Sequence, residues 1–185
     1  FVWPYLLTMP RLTFYRNPRF PKACRNFLAF NSDLGDDVLS VRPITPDDDI
    51  REQIFLDDMS ELDNARRFCC KKPSFGRKQL EELTQIDYTR EFAYAACSRK
   101  TDRFVAVARL CAGCGGDYEA AIVVLDAWKG CGLGSWMVDL LFRAAIEVFQ
   151  AQSVHISYLS SNPAVRRIHD RAAAAHATGC EEHSD

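Results

Sequence analysis

The chain has 185 residues, 48% of them apolar, and a formal net charge of -2. That length suits one buried core with room for an appendage and is too short for two full-sized domains. A charge this close to neutral gives no global attraction to nucleic acid or to an anionic membrane, and no apolar run approaches the ~20 residues that span a bilayer.

Residues 1–37 hold four of the eight prolines, scattered aromatics and no clear period. They read as an extended leader or the remnant of an upstream region, with residues 38–185 as the main domain. Phe1–Met9 is apolar, but Pro4 and Pro10 break it and no cleavage pattern follows, so it does not read as a signal peptide. Without a secretory signal, the eight cysteines are expected to be reduced and the chain cytoplasmic.

From Val38 the pattern sharpens. Val38–Ile44 reads as a strand. Thr45 then caps a helix that has Pro46 at its first position and Asp47, Asp48 and Asp49 in its first turn. Ile50, Ile54, Leu56 and Met59 make its apolar stripe, and helical signal returns over Asn64–Cys70 and Arg77–Thr84. Strands follow at Glu91–Ser98, Arg103–Leu110 and Tyr118–Leu125, the last two joined by a Gly-rich turn, Cys111–Asp117. A long helix from about Gly132 to Gln150 places Leu133, Met137, Leu140, Leu141, Ala144 and Val148 on one buried face. Val154–Leu159 is a short strand, and Ser161-Asn162-Pro163 caps a last helix over Ala164–Ala175. The order describes a mixed α/β (α+β) domain, an antiparallel meander joined to a β-α-β unit.

Cys111 and Cys114 form a lone C-x-x-C, and no second ligand pair lies at useful spacing, so no metal site is expected. The informative segment is Ile122–Gly134. A buried strand ends, and a turn with Gly130, Gly132 and Gly134 opens a long helix. Such glycines let backbone N–H groups approach a bound group, and the helix N-terminus adds partial positive charge, which suits a phosphate or pyrophosphate. The spacing fits neither a Walker loop nor a Rossmann fingerprint.

At this junction the sequence resembles the GNAT acetyltransferases, which carry Arg/Gln-x-x-Gly-x-Gly/Ala. Here the stretch is Lys129-Gly130-Cys131-Gly132-Leu133-Gly134, with Lys in the first place. Val41–Asp48, Leu83–Tyr88 with Arg90-Glu91, and Tyr118-Glu119 further resemble the acetyltransferase domain of bacterial protein-lysine acetyltransferases that modify acyl-CoA synthetases. The resemblance covers about Val38 to Asn162. It implies a GNAT-like mixed central sheet flanked by helices, acetyl-CoA as co-substrate, and no metal. It implies that the amides of Lys129, Gly130, Cys131, Gly132, Leu133 and Gly134 hold the pyrophosphate. The backbone of Val123 and Val124 would pair with the pantetheine arm, Asn162 would touch the cofactor, and Glu119 would be the general base. The acceptor would be a lysine on a protein, an acyl-CoA synthetase among the candidates.

Two departures stand out. Ile168 occupies the place where many GNAT enzymes carry a Tyr that protonates the leaving thiolate. The Gly-Phe and two closing strands usual after the last helix are missing or replaced, since Arg171–His176 stands there instead. Apolar surface left by such a loss is a route to homo-oligomers. Two other functions fit the glycine loop equally, transfer to a small amine and non-catalytic binding of acetyl-CoA.

Overall fold

The computed structural model describes residues 13–14, 26–31, 37–68, 74–157 and 162–176. Within them one sheet runs in chain order: β1 (Thr13–Phe14), β2 (Asn26–Asn31), β3 (Val38–Pro43), β4 (Glu91–Ser98), β5 (Phe104–Ala112), β6 (Asp117–Val124) and β7 (Ser153–Ile156). Neighbours are antiparallel except β6 and β7, which are parallel because helix α4 (Leu133–Glu147) carries the chain back between them. Three short helices, α1 (Asp49–Asp58), α2 (Glu61–Phe68) and α3 (Arg77–Thr84), lie between β3 and β4, and α5 (Pro163–His176) follows β7. The expected mixed α/β architecture is present. β1 and β2 arise inside the stretch read as an extended leader, and β2 pairs antiparallel with β3. Leu159, Ser161 and the region after His176, where closing strands would fall, lie outside the described residues, as do Cys24, Cys69, Cys70 and Cys180.

The centre of the sheet is buried on both faces, and β4 shows how. Phe92, Tyr94 and Ala96 join the core under α4, while Ala93, Ala95 and Cys97 join the core under α1. Alternate side chains of a strand point to opposite faces. The large residues therefore fill the α4 side, and the small ones let the short helices settle close on the other. Leu133, Met137 and Leu141 of α4 are fully buried against the sheet, each contributing about 1.5–3 kcal/mol. A second side of α4, Val138 and Phe142, packs on α5 through Ala172 and Ile168. The helix ends at Glu147 rather than at Gln150. Its chain turns out through Val148, and Gln150 takes a positive φ of 51°. Phe149 then tucks its ring against Tyr118 at 5.2 Å between centroids.

The stripe on α1 differs from the one read in the sequence. Ile50 is 69% exposed, and the buried positions are Glu52, Phe55, Leu56 and Met59. Those four obey i, i+3, i+4, i+7, with a carboxylate in an apolar register.

Before α1 a second buried carboxylate closes the turn. Asp48 is 1% exposed. It accepts two hydrogen bonds from Arg42, Nη1 to Oδ2 and Nη2 to Oδ1, each 2.6 Å, and one from the Thr45 N–H at 2.8 Å. Burial opposes its charge, but the Arg42 and Thr45 donors win and hold its carboxyl below the ordinary carboxylate range. Removing one partner of such a pair strands the other. Asp48→Asn is expected to cost about 3 kcal/mol at neutral pH in urea unfolding. The folded form favours ionised Asp48, so this stability is present above the unfolded pKa of about 3.9 and is lost as pH falls through the lower folded value. The gap between wild type and variant should therefore close in acid.

Candidate active site

The end of β6 is where the sheet opens. β7 pairs with Asp117–Ala120 only, whereas β5 follows β6 to Val124. Among the described residues, the far edge of residues 121–124 has no strand beside it. The Leu125 N–H donates to the Val105 carbonyl at 2.9 Å, across to β5. Peptide groups alternate sides along a strand, so Val123 also turns to β5, while Ile122 and Val124 present N–H and C=O to the uncovered edge. Of the two residues expected to pair with the pantetheine arm, Val124 faces the uncovered edge and Val123 faces β5. Ile122 is the second group on that edge, and the period-2 alternation of the strand was the signal for it.

The glycine loop lies directly beyond. Gly130 and Gly132 have φ of +83° and +85°, the left-handed region that costs other residues about 1–2 kcal/mol. Gly132 is the N-cap of α4. The N–H groups of residues 130–135 have no acceptor within the described protein, and no acidic side chain occupies the first turn of α4. Orphan N–H groups with the helix dipole behind them form an anion site. Gly134 serves a different need. A Cβ there would meet Ile168 Cδ1 at 3.4 Å and Val124 Cγ2 at 3.6 Å, so its smallness lets α4 lie between β6 and α5. Ile168, in the place of the expected Tyr, is thus a packing residue. Leu133 is fully buried in the core, and the Cys131 thiol donates to the Trp128 carbonyl at 3.1 Å.

Lys129 is held by the protein itself. Its Nζ donates to Asp63 Oδ1 and Oδ2 at 2.8 and 2.7 Å and to Asp126 Oδ1 at 2.5 Å. Its backbone N–H donates to the Asp126 carbonyl at 3.2 Å. Burial works against the ammonium, but the two carboxylates prevail and raise its pKa. Lys129 therefore ties the loop to α2. Asn162 caps α5, its Oδ1 accepting from the Val165 N–H at 3.5 Å.

On the face of the sheet under the short helices, a pocket is lined by Ala121 and Val123 of β6, Val107 and Arg109 of β5, and Glu52, Phe55, Met59, Arg67 and Phe68 of the helices. Glu119 lies two residues before Ala121 on the same face and is exposed. It sits opposite Cys111 of β5 and His155 of β7. Arg109 donates through Nη2 to Glu52 Oε1 at 2.6 Å and through Nη1 to the Leu83 carbonyl at 2.8 Å. Glu52 is 2% exposed, and its Oε2 has no partner. Burial raises the Glu52 carboxyl above the ordinary range, with Arg109 opposing it. Burial followed by repulsion from Arg109 lowers the Arg67 pKa, with Glu119 pulling the other way. Sequence reading missed Glu52 and Arg109. The signals were a carboxylate at the first place of an apolar helical stripe and an arginine inside a strand of Val and Ala.

No group of three or more His, Cys, Asp or Glu side chains is placed to hold a metal among the described residues. Nor is any helix there long and apolar enough to cross a membrane.

No protein-family model matches the chain. A relative, Acetyltransferase PA5475 of Pseudomonas aeruginosa, is 28% identical over 156 residues, covering 83% of this chain and 81% of the relative. The solved GNAT domain of S. lividans PAT superposes with a TM-score of 0.66 at 24% identity, over 77% of this chain and 89% of that one. Spermidine N-acetyltransferase from Vibrio cholerae, solved with CoA and spermine, superposes with a TM-score of 0.58 at 14% identity, over 72% and 79% of the two chains. The sheet has the GNAT fold, and the relative that the chain resembles in sequence over most of both lengths is an acetyltransferase.

The two positive-φ glycines act through backbone strain alone, because open space surrounds both. Gly132→Ala should lower unfolding stability by about 1 kcal/mol without disturbing the core. Gly134→Val, which must displace Ile168 or Val124, should cost more than Gly132→Ala in the same denaturant series.

Proposed function

We propose that the chain transfers the acetyl group of acetyl-CoA to the side-chain amine of a lysine on a protein, by direct attack on the thioester. The observation that carries this reading is the uncovered strand edge at the end of β6 that runs into a cradle of unpaired N–H groups, with the Glu119 carboxylate nearer the start of the same strand. The groups fit the co-substrate. The N–H groups of residues 130–135 suit the pyrophosphate, and Ile122 and Val124 offer strand-like pairing to the pantetheine amides. Lys129 fixes the loop rather than touching phosphate, and Asn162, whose Oδ1 caps α5, keeps its side-chain N–H groups to donate to the cofactor.

Attack requires an amine that has lost its proton, since an ammonium has no lone pair. Glu119, on the same strand, takes that proton through intervening water as the nitrogen–carbon bond forms. The Val124 N–H donates to the carbonyl oxygen as it gains charge. The carbon–sulfur bond then breaks and CoA leaves as thiolate, which takes its proton from water, Ile168 having none to give. The sequence motifs support a protein acceptor, and an acyl-CoA synthetase in the cytoplasm is the one they imply. The strand edge and the glycine loop would serve a free amine or one on a protein equally, so a small amine is the second reading.

Glu119→Gln should reduce kcat about 100-fold or more in a steady-state assay on lysine-bearing acceptors, with acetyl-CoA affinity unchanged by calorimetry. Full activity of the variant would remove the base from this account. Transfer to free amines but to no protein would replace the lysine reading with the small-amine one, and acetyl-CoA binding without any transfer would leave a binding module.

A further inference from the structure

The pocket under the short helices is lined by a carboxylate that is only half hydrogen-bonded and by a guanidinium with no carboxylate at ion-pair distance among the described residues. Glu52 lines the pocket and is buried, and Arg109 occupies only its Oε1, so Oε2 is without a donor. Arg67 lines the same pocket and has no carboxylate at ion-pair distance among the described residues, its guanidinium resting on the Phe68 ring at 5.2 Å. A buried acceptor without a donor costs about 1–3 kcal/mol, which a donor on a ligand would recover. The ligand that answers both has an N–H donor at its inner end and a carbonyl or carboxylate nearer the mouth.

We infer that Glu52 is the acceptor-binding residue, its free Oε2 taking a hydrogen bond from the incoming primary amine, while Arg67 holds a carbonyl or carboxylate near that amine. The inference rests on the reading of β6 as the place of acyl transfer, because Ala121 and Val123 form the floor of this pocket. A lysine residue presents both groups, an amine at the end of an apolar stem and a main-chain carbonyl at its root. The apolar wall of Phe55, Met59 and Val107 suits that stem. Arg109 gives the arrangement its rigidity. Its two hydrogen bonds, to Glu52 and to the Leu83 carbonyl, stop the carboxylate from swinging away. The two carboxylates thus divide the work, with buried Glu52 aiming the amine and exposed Glu119 passing its proton to solvent.

The test is a titration of Nα-acetyl-lysine amide followed by NMR, on wild type, Glu52→Gln and Ala121→Leu, each with and without desulfo-CoA. Gln keeps the size of Glu52 and an oxygen for Arg109, but can turn only an amide N–H to the amine. Wild type should saturate, and Glu52→Gln should bind the lysine amide at least tenfold more weakly with desulfo-CoA affinity kept within twofold. Ala121→Leu fills the pocket from the sheet side and should weaken the amine equally, which decides the matter if Glu52→Gln does not fold. In turnover, Glu52→Gln should raise acceptor KM far more than it lowers kcat. Equal affinity in wild type and in either folded variant, or no saturable binding to wild type, overturns the inference. Lysine-amide binding that depends on Glu52 in a protein that transfers no acetyl group would uphold the inference and sink the proposed function instead.

Discussion

The chemistry of this chain depends on a mismatch in length between two strands. β6 has eight residues and β7 four, and they share only Asp117–Ala120. Backbone groups in a sheet are normally answered by a neighbour. Here Ile122 and Val124 face an edge that β7 does not reach, while β5 holds the other edge in register. Because α4 must begin where β6 ends and return the chain to β7, its N-terminus is delivered to the mouth of that opening. One topological fact, a parallel pair closed by a helix, therefore sets an extendable strand edge beside a helix dipole.

The two faces of the sheet do different work. Under α4 the core is large and apolar, with Phe92, Tyr94, Leu110 and Leu141 fixing the opening in place. Under the short helices the alanines of β4 leave room for charge, and Arg109 extends from the Val and Ala of β5 to meet Glu52. That pair is buried and incompletely bonded, an expensive element in a domain that could have been apolar there. The opposite choice holds at Asp48, whose carboxylate is surrounded by donors at the start of α1. A satisfied buried acid braces the fold, and an unsatisfied one beside the uncovered strand has affinity to offer a ligand. Lys129 and Asp63 link these regions by tying the glycine loop to α2, the helix that carries Arg67.

Much of this was legible in the residues, for physical reasons that can be named. The β-branched run before Gly130 and the 3.6-residue period after Gly132 gave β6, the turn and α4 almost to the residue. Gly130 and Gly132 stood out because only glycine sits easily at their φ. The roles within the loop were less legible. Lys129 was read for its backbone amide, and the partner of its side chain, Asp63, lies 66 residues away, a separation invisible to local pattern. Val123 and Val124 looked equivalent until the hydrogen bond of Leu125 to Val105 set the phase of the strand. Ile50 looked like core and is exposed, because the true stripe begins with Glu52, and a charged residue hides a helical period from any reading that counts apolar side chains.

The account's central claim, that the uncovered edge of β6 and the α4 N-terminus together hold acetyl-CoA, is tested most directly by amide hydrogen exchange with and without the co-substrate. It predicts new protection at the N–H groups of Ile122, Val124 and residues 130–135, and little change at Val123, which β5 already covers. Acetyl-CoA that binds while those amides exchange as before would contradict it.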